Sequence, residues 1–241
     1  DFDGRLSVVV PVKNEADNVL ALVQEIHAAL ETRADFELIY VDDGSDDDTP
    51  QRLVQASAAF PRLVIVRHQQ SCGQSAAVLS GVRAARHPWI ATLDGDLQND
   101  PADLPRLLAA IGPGQRAPGL NLVIGWRTAR HDSWVRKLSS RVANGVRGGL
   151  LNDQTPDTGC GLKVFSREVF LRLPFFDHMH RFLPALVLRD GGQVLSVPVN
   201  HRARPAGISK YGIGNRLWVG IVDLFGVMWL NRRMQRPEID P

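Results

Sequence analysis

The chain has 241 residues, 44% of them hydrophobic, with two cysteines (Cys72 and Cys160) and a formal net charge of +2. That length suits one large α/β domain, or one domain with a C-terminal appendage, and the apolar content is that of a globular protein with a sizeable core. Two cysteines exclude a disulfide framework and favour a reducing, cytosolic-side location.

The first half alternates strands and helices. Leu6–Val12 is a short apolar run. Ala16–Leu30 has helical spacing, with Val19, Leu22, Val23, Ile26 and Leu30 on one face. Phe36–Val41, Leu63–Val66, Trp89–Leu93 and Leu120–Gly125 read as further strands, and Thr49–Ala59, Gln74–Ala85 and Pro101–Ile111 as helices between them. Strands separated by helices mean βαβ units and a mainly parallel sheet with helices on both faces. After Gly125 the alternation weakens. Ser133–Leu151 reads as a basic helix, Gly161–Phe165 as a strand followed by a helix from Arg167, and Gln193–Val199 as a late strand. Arg216–Leu230 is a helix apolar over most of its circumference, followed by Arg232, Arg233 and Arg236.

Charge divides unevenly along this order. Residues 1–124 hold 10 basic and 17 acidic side chains, a balance of −7; residues 125–241 hold 18 and 9, a balance of +9. A basic second half suggests an anionic partner, a phosphate or a lipid surface. Nucleic acid is disfavoured: there is no zinc-finger spacing, helix-turn-helix signal or aromatic-rich RNA-binding strand. No stretch of roughly 18 clean apolar residues makes a spanning helix secure, and no secretory signal opens the sequence.

Open α/β sheets bind ligands outside the carboxyl ends of their strands. The first strand ends in Pro11-Val12-Lys13-Asn14-Glu15, the second in Asp42-Asp43-Gly44-Ser45, and the fourth in Asp94-Gly95-Asp96. Asp-Gly-Asp is by itself ordinary turn chemistry; three polar clusters on one sheet edge point to a site. Asp94 and Asp96, with Gln98 as a neutral oxygen donor, can grip a hard cation such as Mg2+ or Mn2+, which keeps positions open for a substrate phosphate. A dinucleotide fold needs a Gly-rich turn after the first strand, and a phosphate-binding loop needs Gly-Lys-Ser/Thr. Neither is present, so a bound diphosphate would be met by a metal and basic side chains, as in sugar-nucleotide chemistry.

The segments Val-Val-Pro-Val-Lys-Asn-Glu, Tyr-Val-Asp-Asp-Gly-Ser-Asp-Asp, Leu-Asp-Gly-Asp-Leu-Gln, Asp157-Thr-Gly-Cys-Gly-Leu-Lys163 and Arg204-Pro-Ala-Gly-Ile-Ser-Lys-Tyr211 occur in that order. Together they resemble glycosyltransferase family 2, and most narrowly the subgroup of dolichol-phosphate mannosyltransferase and bacterial polyprenyl-phosphate glycosyltransferases. The resemblance implies a GT-A (Rossmann-like) catalytic domain over residues 1–211 and a C-terminal interfacial or dimer-contact helix over 212–241. It implies that Pro11, Lys13, Glu15 and Asp42 hold the nucleoside of a UDP- or GDP-sugar, and that Asp94, Asp96 and Gln98 hold the metal. Arg127, Arg136 and Ser140 would face the donor sugar and reacting phosphates. Arg204, with Lys210, would bind the phosphate of a polyprenyl acceptor. Lys13 stands where many relatives carry an aromatic residue.

The implied reaction is inverting transfer of a sugar to the lipid phosphate, at the inner face of a membrane, with a saccharide hydroxyl as the alternative acceptor. A monoester phosphate has a second pKa of about 6 and is ionised at neutral pH, so it needs no strong base. Asp157 would orient the acceptor or act as a base toward a hydroxyl, or else cap the turn into Thr158-Gly159. Asp46, Asp47 and Asp48 fit the cap and first turn of the following helix. Cys160 reads as a packed residue, and His178 and His180, near a basic segment, as surface positions, with contact to a phosphate as the alternative. The helix at Arg216–Leu230 is shorter than a span and interrupted by Asp223. Trp218, Trp229 and the flanking arginines fit an interfacial helix, and a core or homo-oligomer contact is its other use.

Overall fold

The computed structural model describes residues 2–114, 116–128, 145, 148–151, 153, 155–203 and 213–234, without the side chains of 213–218. Seven strands form one sheet: β1 (Arg5–Val12), β2 (Asp35–Asp42), β3 (Leu63–Arg67), β4 (Trp89–Thr92), β5 (Leu120–Arg127), β6 (Lys163–Ser166) and β7 (Gln193–Val199). Their spatial order is β3-β2-β1-β4-β6-β5-β7. β6 runs antiparallel to both β4 and β5, and every other pair is parallel. The sheet is therefore mainly parallel, as expected.

The helices are α1 (Ala16–Leu30), α2 (Thr49–Ala59), α3 (Gln74–Ala84), α4 (Leu104–Ala109), α5 (Arg167–Arg172), α6 (Leu183–Arg189) and α7 (Ile213–Arg232). Alternation along each strand feeds two cores, one on each face. Val8, Val10, Leu38 and Tyr40 face α1, whose Leu22, Val23 and Ile26 are fully buried among them. Val9, Ile39 and Val41 face the opposite way, onto Ala77, Val78 and Val82 of α3. Burying each such aliphatic side chain contributes about 1.5–3 kcal/mol, so Leu22→Ala, which also leaves a cavity, costs about 2–5 kcal/mol.

Most boundaries agree with the periodicity to within a residue or two. The helix expected over Pro101–Ile111 begins instead as a 3₁₀ turn, Pro101–Asp103, before α4. Pro101 is tolerated at the first position, where a helix N–H has no partner, but Pro105 lacks the N–H that a continuous helix would donate to Pro101 O. The sequence reading missed α6, a short buried helix without a polar face. Most of the basic helix expected over Ser133–Leu151 lies outside the described residues.

α7 is neither a free appendage nor wholly buried. Val227 is buried, and Leu224 and Met228 pack on the second core. His178 Nδ1 meets Asp223 Oδ2 at 3.2 Å, and Arg189 Nε donates to Leu230 O at 3.2 Å. Asp223 therefore faces His178 and the body of the domain rather than solvent. Val222, Phe225 and Trp229 stand exposed along the outer side. Among the described residues, no helix is long and apolar enough to cross a membrane.

Candidate active site

β1 has β2 on one side and β4 on the other, so the strand order reverses between β1 and β4. A crevice opens outside the carboxyl ends of parallel strands at such a reversal. Pro11 and Asp42 end β1 and β2, where Val12 pairs with Asp42, and Asp94 follows the end of β4. The expected convergence of Pro11, Asp42 and Asp94 on one edge is present.

The loops after β1 and β2 are laced together. Asn14 N–H donates to Ser45 Oγ at 2.9 Å, Asp46 N–H to Asn14 Oδ1 at 3.0 Å, and Glu15 N–H to Thr49 Oγ1 at 2.9 Å. Asp46 thus faces Asn14, Asp48 is the N-cap residue but makes no side-chain cap bond, and Asp47, one residue before it, accepts from Thr49 N–H at 2.9 Å, so none of the three lies in the first turn of α2. Gly44 has φ +67, and a Cβ there would fall 2.7 Å from Ser71 N, so this turn requires glycine. Lys13 is exposed and Glu15 half-buried at the crevice rim. The Asp42 side chain is fully buried. Its Oδ1 accepts from Ser45 N–H at 2.9 Å, and its Oδ2 faces Arg67 Nε at 3.3 Å, an ion pair rather than a hydrogen bond.

The Asp94–Gln98 turn is held from several sides. Asp94 N–H donates to Asn99 Oδ1 at 3.0 Å, and Gln98 N–H to Asp96 Oδ1 at 3.1 Å. Gln74 Nε2 donates to Asp94 Oδ1 at 2.8 Å. Gly161 lies against the other side of that carboxylate. A Cβ on Gly161 would overlap Asp94 and fall 2.6 Å from Asn99 Oδ1. Burial pushes the Asp94 carboxyl above its ordinary range, and the charge of Asp96 adds to this, against the cations Lys163 and Arg127. Two carboxylates in one half-buried turn repel, and a divalent cation with oxygen ligands removes that cost. The donor set Asp94, Asp96 and Gln98 therefore fits Mg2+ or Mn2+.

Behind this turn lies a cavity of about 20 Å³, lined by Pro11, Gln74, Asp94, Lys163 and His180 among others. Lys163 is buried and donates to Cys160 O; burial lowers its pKa, opposed by Asp94 and Asp157. His180 Nδ1 meets Ser75 Oγ at 2.7 Å. Burial, then the charges of Lys163 and Arg181, hold its imidazole well below the usual range. His180 is thus a half-buried group lining the cavity rather than a freely exposed one, and His178 lies between Asp177 and Asp223. Cys160 is fully buried, and burial pushes its thiol up, as befits a packed residue.

Arg127, at the end of β5, grips Asp157 through Nε to Oδ2 at 2.6 Å and Nη2 to Oδ1 at 2.8 Å. Both carboxylate oxygens are occupied by one guanidinium, the bidentate geometry that arginine favours. Arg202, just past β7, donates its N–H to Gln98 O at 3.0 Å, and Asn99 bridges to His201. The chain leading to Arg204 is therefore anchored on the Asp94–Gln98 turn. Arg136, Ser140, Arg204 and Lys210 lie outside the described residues.

Sequence reasoning assigned no role to Gln74, placed His180 at the surface, and held Gly161 and Lys163 in the Asp157 segment without assigning them a part in the site. The Gly-Cys-Gly of the Asp157 segment was a partial signal, since paired glycines mark close backbone approach. Among the described residues, one group, Asp43, His68 and Cys72, brings possible metal-ligand atoms within 4.8 Å of one another. Its carboxylate already accepts from His68, Ser71, Cys72 N–H and Gly73 N–H at 2.7–2.9 Å. Burial raises the Asp43 carboxyl, but these bonds outweigh it and hold the pKa below the ordinary range. That group is a loop anchor, distinct in place and donor type from the Asp94–Gln98 turn.

Comparison with known proteins places the chain in a family. Residues 7–173 match the glycosyl transferase family 2 profile. Dodecaprenyl-phosphate galacturonate synthase of Rhizobium johnstonii is 39% identical over 240 residues, covering 96% of this chain and 69% of that protein. Undecaprenyl-phosphate 4-deoxy-4-formamido-L-arabinose transferase of Edwardsiella ictaluri is 32% identical over 210 residues, covering 86% and 63%. The chain thus spans about two thirds of the length of these relatives. Among solved structures, glucosyl-3-phosphoglycerate synthase of Mycobacterium tuberculosis, in complex with Mn2+, UDP and glucosyl-3-phosphoglycerate, superposes with a TM-score of 0.71 at 19% identity, covering 97% of this chain and 82% of that one. The profile match and the two relatives together establish that this chain belongs to glycosyl transferase family 2.

Proposed function

We propose that the chain transfers a sugar, with inversion, from a UDP- or GDP-linked donor to a polyprenyl phosphate at the cytosolic face of a membrane. The observation that carries this reading is the convergence of Pro11, Asp42 and the Asp94–Gln98 turn at the β1/β4 reversal. The two polyprenyl-phosphate relatives support the acceptor class. In this reading Pro11, Lys13, Glu15 and Asp42 hold the nucleoside, with Arg67 giving way for the base to reach Asp42. Asp94, Asp96 and Gln98 hold Mg2+ or Mn2+, which when bound neutralises charge on the departing nucleoside diphosphate.

Arg127, Arg136 and Ser140 face the donor sugar and the reacting phosphates, and Arg204 with Lys210 receives the acceptor phosphate. These cations offset the repulsion between an anionic nucleophile and an anionic donor. Asp157 orients Arg127: its oxygens are engaged, and an ionised phosphate acceptor needs no base. Val222, Phe225 and Trp229 of α7, followed by Arg232, Arg233 and Arg236, suit a helix lying in a lipid interface.

The test is nucleotide release from a panel of UDP- and GDP-sugars with Mn2+ or Mg2+, with and without undecaprenyl phosphate. Release that requires the lipid phosphate, and is lost in Asp96→Ala and Arg204→Ala, is the expected result. Release with saccharide acceptors alone would overturn the acceptor assignment and leave the family.

A further inference from the structure

The strap between β3 and α3 joins the two halves of the proposed donor site. Ser71 Oγ, Cys72 N–H and Gly73 N–H all donate to Asp43, at 2.7, 2.8 and 2.9 Å, beside the buried Asp42. The next residue, Gln74, donates its amide to Asp94 Oδ1 at 2.8 Å, and Ser75 then meets His180 Nδ1 at 2.7 Å. Five consecutive residues thus contact three groups that lie far apart in sequence.

Gln74 is exposed at the first position of α3. Water would satisfy its amide equally well, so this bond adds little to the stability of the fold. Its consequence falls on Asp94. The Asp94 backbone N–H is held by Asn99 at 3.0 Å, and Gly161 closes the Oδ2 side. Among the described residues, the Gln74 amide supplies the side-chain hydrogen bond that restrains rotation of the carboxylate.

We propose that Gln74 is a positioning residue for the metal ligand Asp94, tying it to the Asp43 loop that walls the nucleoside. The inference rests on the reading of Asp94, Asp96 and Gln98 as a divalent-cation site. Groups that orient a ligand from behind typically change metal affinity by about 10–100-fold when removed.

The experiment is calorimetric titration of Mn2+ into the whole chain in the presence of UDP, and separately of GDP. It compares wild type, Gln74→Met, Gln74→Ala and the neighbouring exposed Gln70→Met, with thermal unfolding of each. Both Gln74 variants should bind Mn2+ at least about tenfold more weakly. Their unfolding temperature should stay unchanged, and Gln70→Met should bind as wild type does. Wild-type binding together with Gln74 variants within about twofold of it would overturn the positioning role alone. A wild-type protein that binds no Mn2+ with either nucleotide would overturn the cation site and this inference with it.

Discussion

Removing the Arg127 guanidinium would test how the far wall of the site is held. Asp157 is almost wholly buried, and the Arg127 side chain is 18% exposed. Arg127→Ala leaves the Asp157 carboxylate buried without its cation. Breaking a buried pair from one side typically costs about 3–5 kcal/mol, because the remaining charge is uncompensated. For a chain of this size each kcal/mol lowers the unfolding temperature by roughly 2–4 °C, so a fall of about 6–20 °C is expected. Arg127→Met combined with Asp157→Leu should recover most of that loss, since paired apolar replacements are often neutral. Donor turnover should remain absent in the double variant, which separates the contribution to stability from the contribution to the site. The assay is thermal unfolding followed by near-UV circular dichroism, alongside nucleotide release. An Arg127→Ala protein melting within about 1 °C of wild type would refute the reasoning, because the ion pair would then contribute nothing to the fold.

Gly161→Ala places a methyl group against Asp94 and Asn99. It should cost about 1–3 kcal/mol by overpacking and displace Asp94, read as lost Mn2+ binding in a chain that still folds. Gly44→Ala forces a side chain into φ +67, with its Cβ 2.7 Å from Ser71 N, so it should lower urea stability by about 1–3 kcal/mol. His180 is neutral in the native protein, with a pKa depressed by burial and by Lys163 and Arg181. Below a pH of about 6.5 the unfolded chain takes up a proton that the native one refuses, so stability is lost as pH falls through that value. Urea midpoints between about pH 5 and 6.5 should slope less steeply in His180→Gln, and an unchanged slope would exclude His180 as the cause. Chelation with EDTA should abolish nucleotide release and added Mn2+ restore it; release that persists in EDTA would exclude the metal role.

Apart from the short buried α6, the order of strands and helices, and the carboxyl-end placement of Pro11, Asp42 and Asp94, were legible in the sequence. Hydrophobic period and turn chemistry are local properties, and parallel strands must end on one edge. The antiparallel insertion of β6 between β4 and β5 was not legible, because pairing partners are chosen by long-range contact. Nor were the partners of the site. Gln74, Gly161, Lys163 and His180 lie up to 106 residues apart in the chain, and nothing local to any of them says which group it meets. Only the packed structure sets the Gln74 amide on Asp94, seats Gly161 where a methyl group cannot fit, and turns His180 inward. Asp157 makes the same point: its sequence allowed a base, an acceptor guide or a turn cap, and the bidentate approach of Arg127 across 30 residues occupies both of its oxygens. Local sequence sets which groups reach the edge. Tertiary packing sets their partners, because hydrogen bonding and charge depend on distance in space rather than along the chain.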